Sequence, residues 1–339
     1  MTSSKLQHTF FRLNSSPQKL ECQFVDTYGV RCTRNAINSH SLQRNGALKC
    51  IAENGHVYGL DTYTTKLKTG AKYKKLGLKK ASISPGFCPK HDQELFRQVE
   101  SGTEKLNKPD MLLLGYRSIC HELFKKERVE SIYSHPDFIK ATLDIGGDAI
   151  DYVSTYLHGT IVGKADLVRH KRAYERMLHS GRHGNALGFS LYYETPLPFA
   201  YSGGFAPEFT SDGRKVLPNP ADKRWGAVAT FCGNIKGHNL FGCIGIDDVQ
   251  SHNFDDFFAS SDKIPDSFGA SYALHIGLEY IENCYFKIPW LNDLPPNISS
   301  LIINRSISGT PGDLNARKRY ILKNDDLMAQ KCVSRNNFF

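Results

Sequence analysis

The spacing of apolar positions changes along the chain, and each change predicts a different kind of element. Between residues 110 and 179, Leu112, Leu113, Tyr116, Ile119, Cys120, Leu123 and Phe124 recur at the spacing of one buried helix face. Further helices are predicted over 136–157 and 164–178, and Asp144-Ile145-Gly146-Gly147-Asp148 reads as a turn or N-cap cluster. From Gly188 onward the pattern is that of strands. Residues 225–232 and 240–246 are strand-like runs joined by a turn region from Gly233-Asn234 to His238-Asn239. A helix over 267–283 follows, Asp293-Leu294-Pro295-Pro296 is a break, and the tail after Gly309 is polar and expected to be loose. Ahead of the helical stretch, residues 20–100 carry short apolar runs and many turns. Within them, 48–60 reads as a hairpin, because Asn54-Gly55 stands between residues of strand type.

These patterns predict an α+β protein with an N-terminal zinc module, a helical middle and a C-terminal mixed β-sheet domain. The expected divisions are a leader over 1–19, the zinc module over 20–105, helices over 106–185, an α+β domain over 186–310 and a polar tail over 311–339.

Charge alters the reading of the N-terminal third. The 339 residues carry a net charge of +9. Residues 1–100 hold 16 Lys or Arg against 7 Asp or Glu, so they account for the whole excess. Lys66, Lys68, Lys72, Lys74, Lys75, Lys79 and Lys80 crowd into a stretch, 62–91, that has no acidic residue. Such a module suits a polyanion, since cations placed near phosphates release condensed counterions; a basic surface kept for solubility is the competing reading. The 9 unevenly spaced cysteines do not read as a secreted disulfide framework. With no apolar signal core at the start and no membrane-length apolar run, a cytoplasmic protein is expected.

The most specific chemistry lies in Cys22, Cys32 and the phrase Cys88-Pro89-Lys90-His91. A Cys-x2-His pair at a helix start sets one ligand at the cap and the second one turn on, and Pro89 at the first helical position supports that start. Thiolates and an imidazole suit tetrahedral zinc, and two ligands from an early ribbon with two from a helix start is a treble-clef arrangement. Nine residues separate Cys22 from Cys32, which calls for an enlarged knuckle turning at residues 26–29. Buried cysteines without metal are the alternative. Cys50, Cys120, Cys232, Cys243 and Cys284 sit in apolar patterns and are expected in the core.

Between the ligand pairs, His40 follows a strand-like run, and Asp92 directly follows His91. A cysteine pair, a strand ending in histidine, and Cys-x2-His followed by an acidic residue on a helix resembles the HNH, or ββα-metal, nuclease module. It is also similar to the N-terminus of uncharacterised bacterial proteins that pair an SHS phrase with a later GFCxxHD phrase. The resemblance implies that His40 is a general base activating water and that Asp92 helps hold a catalytic divalent cation, Mg²⁺ or Mn²⁺, beside a structural zinc. In this chain Ser39 stands where the family commonly carries an acidic metal ligand. His40 as a zinc ligand or turn cap is the other reading.

Elsewhere, Arg117, His121, Glu122 and Lys125 share one helix face, read as a solvated face of ion pairs rather than a site. The basic, glycine-broken run His179-Ser180-Gly181-Arg182-His183-Gly184 reads as a flexible loop, with phosphate contact the alternative, and residues 201–209 as a packed loop. Tyr192, Tyr193, Phe199, Phe254, Phe257 and Phe258 are expected in the core. Two functions from different classes follow. One is a nucleic-acid-binding protein, the partner being DNA, with or without metal-dependent phosphodiester cleavage. The other is a non-catalytic zinc-stabilised protein that docks an acidic protein partner or serves as a sensor.

Overall fold

The computed structural model describes residues 4–16, 20–60, 73–216, 226–247, 254–308 and 330–338. It is a mixed α+β fold with helices in the middle and a large antiparallel sheet fed mainly by the C-terminal half. The elements are α1 (Ser4–Ser15), β1 (Asn38–His40), a π-helical turn (Arg44–Leu48) running into α2 (Lys49–Ile51), β2 (His56–Leu60), β3 (Tyr73–Gly77), β4 (Ile83–Pro85) and α3 (Pro89–Ser101). Three helices follow, α4 (Lys108–Tyr133), α5 (Pro136–Leu143) and α6 (Gly147–Ser180). The remainder comprises β5 (Ala186–Tyr193), β6 (Phe199–Phe205), β7 (Val228–Ile235), β8 (His238–Ile246), α7 (Phe254–Ser261), α8 (Gly269–Tyr280), β9 (Cys284–Phe286), α9 (Ile288–Asp293), α10 (Pro296–Ser308) and β10 (Cys332–Phe338).

Eight strands join in the order β10-β5-β8-β7-β6-β9-β2-β3, every neighbour antiparallel, so the sheet is not the mixed one expected. Its central strands are buried on both faces. Along β7 and β8, Val228, Cys232, Phe241 and Cys243 point into one core with α7 and α8, while Ala229, Phe231, Leu240 and Ile244 point into another with α4 and α6. That two-sided cover explains why both strands read as continuous apolar runs rather than alternating ones. The β7–β8 turn is tight, with Lys236 and Gly237 both at positive φ (53° and 80°), as the right-handed strand twist demands of a two-residue hairpin.

Helix α4 is the axis of the molecule. Asn107 and Asp110 form a capping box at its start, Pro109 fits the first turn, and Asp110 also pairs with Lys236 at 2.7 Å in a nearly dry setting. Gly115 lets the helix approach its neighbours closely: a Cβ there would come within 2.7 Å of Tyr174 on α6 and 2.9 Å of Ile244 on β8.

Several expectations are corrected by the fold. The leader contains the helix α1, which buries Leu6, Phe10 and Leu13 against Ile132, Phe138 and Ala141; intervening polar residues masked its one-sided pattern. Residues 48–51 are helical rather than the first arm of a hairpin, because Ala47 fits against Gly233 on β7, although the Asn54-Gly55 turn is present and leads into β2. α6 runs unbroken through 147–180, and the break lies before it at residues 144–146. Residues 199–205 are strand β6, not a loop. The tail ends in β10, paired with β5 over Cys332↔Tyr193 to Phe338↔Gly188; it carries little apolar signal because main-chain bonds and Arg335 hold it. Cys50 is exposed, whereas Cys120, Cys232, Cys243 and Cys284 are buried as expected. Because β2 and β3 belong to the same sheet as the C-terminal strands, the sheet runs across the expected boundaries at 105 and 186.

Candidate metal centre and its surroundings

Residues 20–36 form an irregular antiparallel ribbon. Its main-chain bonds run from Cys22 N to Arg34 O and from Cys32 N to Phe24 O, and the isolated bridges Glu21↔Asn35 and Val25↔Arg31 flank them. The ribbon turns at residues 26–29, where one Asp26 carboxylate oxygen accepts from the N–H of Tyr28 and of Val30 and Gly29 adopts φ 79°. Cys22 and Cys32 thus lie on facing arms. Cys88 is the N-cap of α3 and His91 stands in its first turn, with Pro89 between them. β1 and β4 pair as a short two-stranded ribbon, Asn38↔Pro85 to His40↔Ile83, and lead the chain into that helix start.

These elements bring Cys22, Cys32, Cys88 and His91 together, their ligand atoms all within 4.8 Å of one another. His91 Nδ1 lies 3.4 Å from Cys22 Sγ and 3.5 Å from Cys88 Sγ. Tetrahedral zinc, with Zn–S near 2.3 Å and Zn–N near 2.0 Å, requires sulfur–nitrogen edges of about 3.5 Å. The donor set and spacing therefore fit such an ion, and the quartet can hold a metal such as zinc. Burial pushes the Cys22 thiol up to about 11, partly offset by the N–H groups of Cys88 and Phe24 that point at its sulfur. Burial also opposes the Cys88 thiolate, but the N–H of His91, the neighbouring cysteines and the N–H of Lys90 outweigh it and lower its pKa. Burial, then Lys90, keeps His91 towards its neutral, ligand-competent form. The Phe24 ring covers the His91 imidazole at 4.0 Å.

His40 lies half-buried at the end of β1, its Nε2 3.1 Å from the Leu78 carbonyl. Asp92 is close to Ser39 and His40, but its carboxylate turns inward to Arg117 at 3.7 Å. Burial raises its pKa, and Arg117 counters. Arg117 also reaches Glu100 at 2.8 Å and lies 3.8 Å over the Phe96 ring.

The helix face bearing Arg117, His121, Glu122 and Lys125 is not solvated. Arg117 and His121 are buried, and Glu122 and Lys125 largely so. His121 Nδ1 shares a 2.6 Å hydrogen bond with Ser84 Oγ, and burial depresses its pKa well below the ordinary value, with Lys125 adding to the effect. Glu122 pairs with Lys125 at 3.2 Å in space left by Gly203 on β6. Identical helix spacing serves a wet face and a buried one, so only the packing of β4 and β6 over α4 tells them apart. A second buried network, missed by sequence reasoning, links Ser41 and Ser82 to the C-terminal half. Asn283 Nδ2 donates to Ser41 Oγ at 2.7 Å, Ser41 and Ser82 hydroxyls meet at 2.6 Å, and Tyr285 Oη accepts from Ser82 N and donates to Asn283 Oδ1. The serine after His40 is thereby a structural tie.

Among the predicted lysines, Lys74 and Lys75 are exposed on β3, the sheet edge, and Lys79 and Lys80 are exposed just beyond it. Lys66, Lys68 and Lys72 lie outside the described residues. Among the described residues no helix is long and apolar enough to cross a membrane. No family model, curated protein or solved structure matches the chain.

Proposed function

We propose that this is a zinc-stabilised nucleic-acid-binding protein. The observation that carries the reading is the Cys22–Cys32–Cys88–His91 quartet, held by a ribbon turn, a two-stranded pair and a helix start. That order of elements is the one a treble clef uses, and it supports the HNH-like resemblance as a matter of scaffold. Zinc there would cross-link the ribbon to α3. The excess positive charge of the first 100 residues, with Lys74, Lys75, Lys79 and Lys80 exposed, supports an anionic partner. Lysines on an edge strand also discourage strand-to-strand aggregation, so their placement does not by itself select nucleic acid.

A hydrolytic extension has one specific observation in its favour. With an N–H on Nε2 directed at the Leu78 carbonyl, His40 keeps Nδ1 as a lone-pair acceptor, the form a general base needs. Asp92 faces Arg117 at 3.7 Å and lies close to Ser39, so its carboxylate would have to turn from the arginine to hold a divalent cation.

The test is fluorescence anisotropy of labelled DNA with the full chain, competed by unlabelled DNA and by polyglutamate of matched charge. DNA displaces the label at far lower concentration than polyglutamate if the proposal holds. Equal displacement, or no DNA binding, favours the alternative of an acidic protein partner. Supercoiled plasmid with Mn²⁺ probes the extension: nicking by the wild type that is lost in His40→Ala supports it, and nicking unchanged in that variant removes His40 as the base.

A further inference from the structure

A groove of about 1050 Å³ lies between the ribbon turn and the C-terminal half of α6, floored by Leu123 and Glu127 of α4. Its charge is one-sided. Arg172 and Arg176 stand one turn apart on the exposed face of α6, Arg182 follows the helix end, and none of the three forms an ion pair among the described residues. On the facing wall, Arg31 is anchored by backbone carbonyls rather than by a carboxylate: Nε donates to Cys22 O at 3.1 Å and one terminal nitrogen to Glu21 O at 3.3 Å. Its position is therefore set by the same ribbon that carries Cys22 and Cys32.

The acidic groups of the groove are bound into its walls. Asp26 caps the ribbon turn, Glu175 is held by Lys171 and the Tyr116 hydroxyl, and Glu127 lies under Arg31, half-buried. At the tip of the ribbon, Tyr28 is 90% exposed between two residues that line the groove, Thr27 and Gly29. An exposed tyrosine together with arginines free of carboxylates is the pairing that single-stranded nucleic acid uses, with bases on aromatic faces and phosphates on cations. The groove is open to solvent, and its volume suits a few nucleotides. Cations near a helix C-terminus also favour the helix itself, but that effect falls off within the last turn, and Arg172 and Arg176 lie further back than Arg182.

We infer that this groove binds single-stranded nucleic acid, with Arg172, Arg176 and Arg182 on the phosphates, Arg31 closing the opposite wall and Tyr28 stacking a base. The inference rests on the nucleic-acid reading above, and it adds the ribbon and α6 to the lysine strand as contacts.

The experiment is anisotropy of labelled dT and U oligonucleotides of about a dozen residues, with the full zinc-loaded chain at several salt concentrations. Wild type is compared with Arg172→Glu/Arg176→Glu, Tyr28→Ala and Lys74→Glu/Lys75→Glu, each first shown to melt like wild type. The arginine pair weakens binding at least about tenfold and flattens the salt dependence, Tyr28→Ala weakens it about fivefold or more, and the lysine pair loses less than the arginine pair. The dT and U arms decide between DNA and RNA. Unchanged binding in the arginine variant with loss in the lysine variant overturns the groove and leaves the nucleic-acid reading standing. A duplex competing as well as a single strand overturns the strand preference. No binding of either oligonucleotide by the wild type overturns the groove too, and if duplex DNA also fails to bind, the parent reading falls with it.

Discussion

Single residues divide sharply into those whose neighbourhood could be read from spacing and those that could not. Cys88 and His91 lie one helical turn apart next to a proline, and local geometry alone turns them to one point; Cys22 and Cys32 follow from the Asp26–Gly29 turn between them. His121 and His275 are the opposite case, ordinary helix histidines whose surroundings come from distant strands and helices. His275 meets Arg305 across the α8–α10 contact, and burial, then that arginine, pushes its pKa down to about 3. His121 is depressed for similar reasons. Each binds its proton less readily when folded than in the unfolded chain, where the value is about 6.5, so below that pH the unfolded state takes up more protons. Stability from these groups is complete above about pH 6.5 and declines as pH falls towards the folded values. Urea midpoints at pH 7.5, 5.5 and 4.5 should fall, at up to about 1.4 kcal/mol per pH unit for each histidine. His275→Gln should flatten the decline relative to wild type, and an unchanged slope would show that His275 is not the group responsible.

At the scale of elements, strong local signals survived and weak ones did not. α4 was legible because its apolar positions recur on one face; β7 and β8 were legible because both sheet faces are covered. β10 was not, since Cys332-Val333-Ser334-Arg335-Asn336-Asn337-Phe338 has no regular alternation. Its place is fixed by pairing with β5 and by Arg335, which donates to the carbonyls of Ser261 and Ile264 at 2.8 and 2.6 Å. Removing residues from 330 onward strips that edge, exposing β5 and leaving two carbonyls without their charged donor. The truncated chain should lose more than about 2 kcal/mol and scatter light on heating below the wild-type melting temperature. A melting curve superimposable on wild type would show that β10 is not part of the stable sheet.

For the molecule as a whole, β2 and β3 share one sheet with the strands of the C-terminal half. Cys22, Phe87, Cys88 and Phe96 share a core with α4, α6 and the inner face of β7 and β8, and the Ser41–Ser82–Asn283–Tyr285 network ties Ser41 and Ser82 to β9. Contacts so distant in sequence leave no local signature, so the Cys/His cluster could be read while its integration with the sheet could not. The metal is thus expected to act as a staple on one corner of a large core rather than as the sole support of a small module. The most direct measurement is the zinc content of the purified full chain by elemental analysis, for wild type, His40→Ala and Cys88→Ser. One equivalent in wild type and in His40→Ala, with almost none in Cys88→Ser, is the predicted result. Absence of zinc from wild type, or zinc retained by Cys88→Ser, would contradict the account.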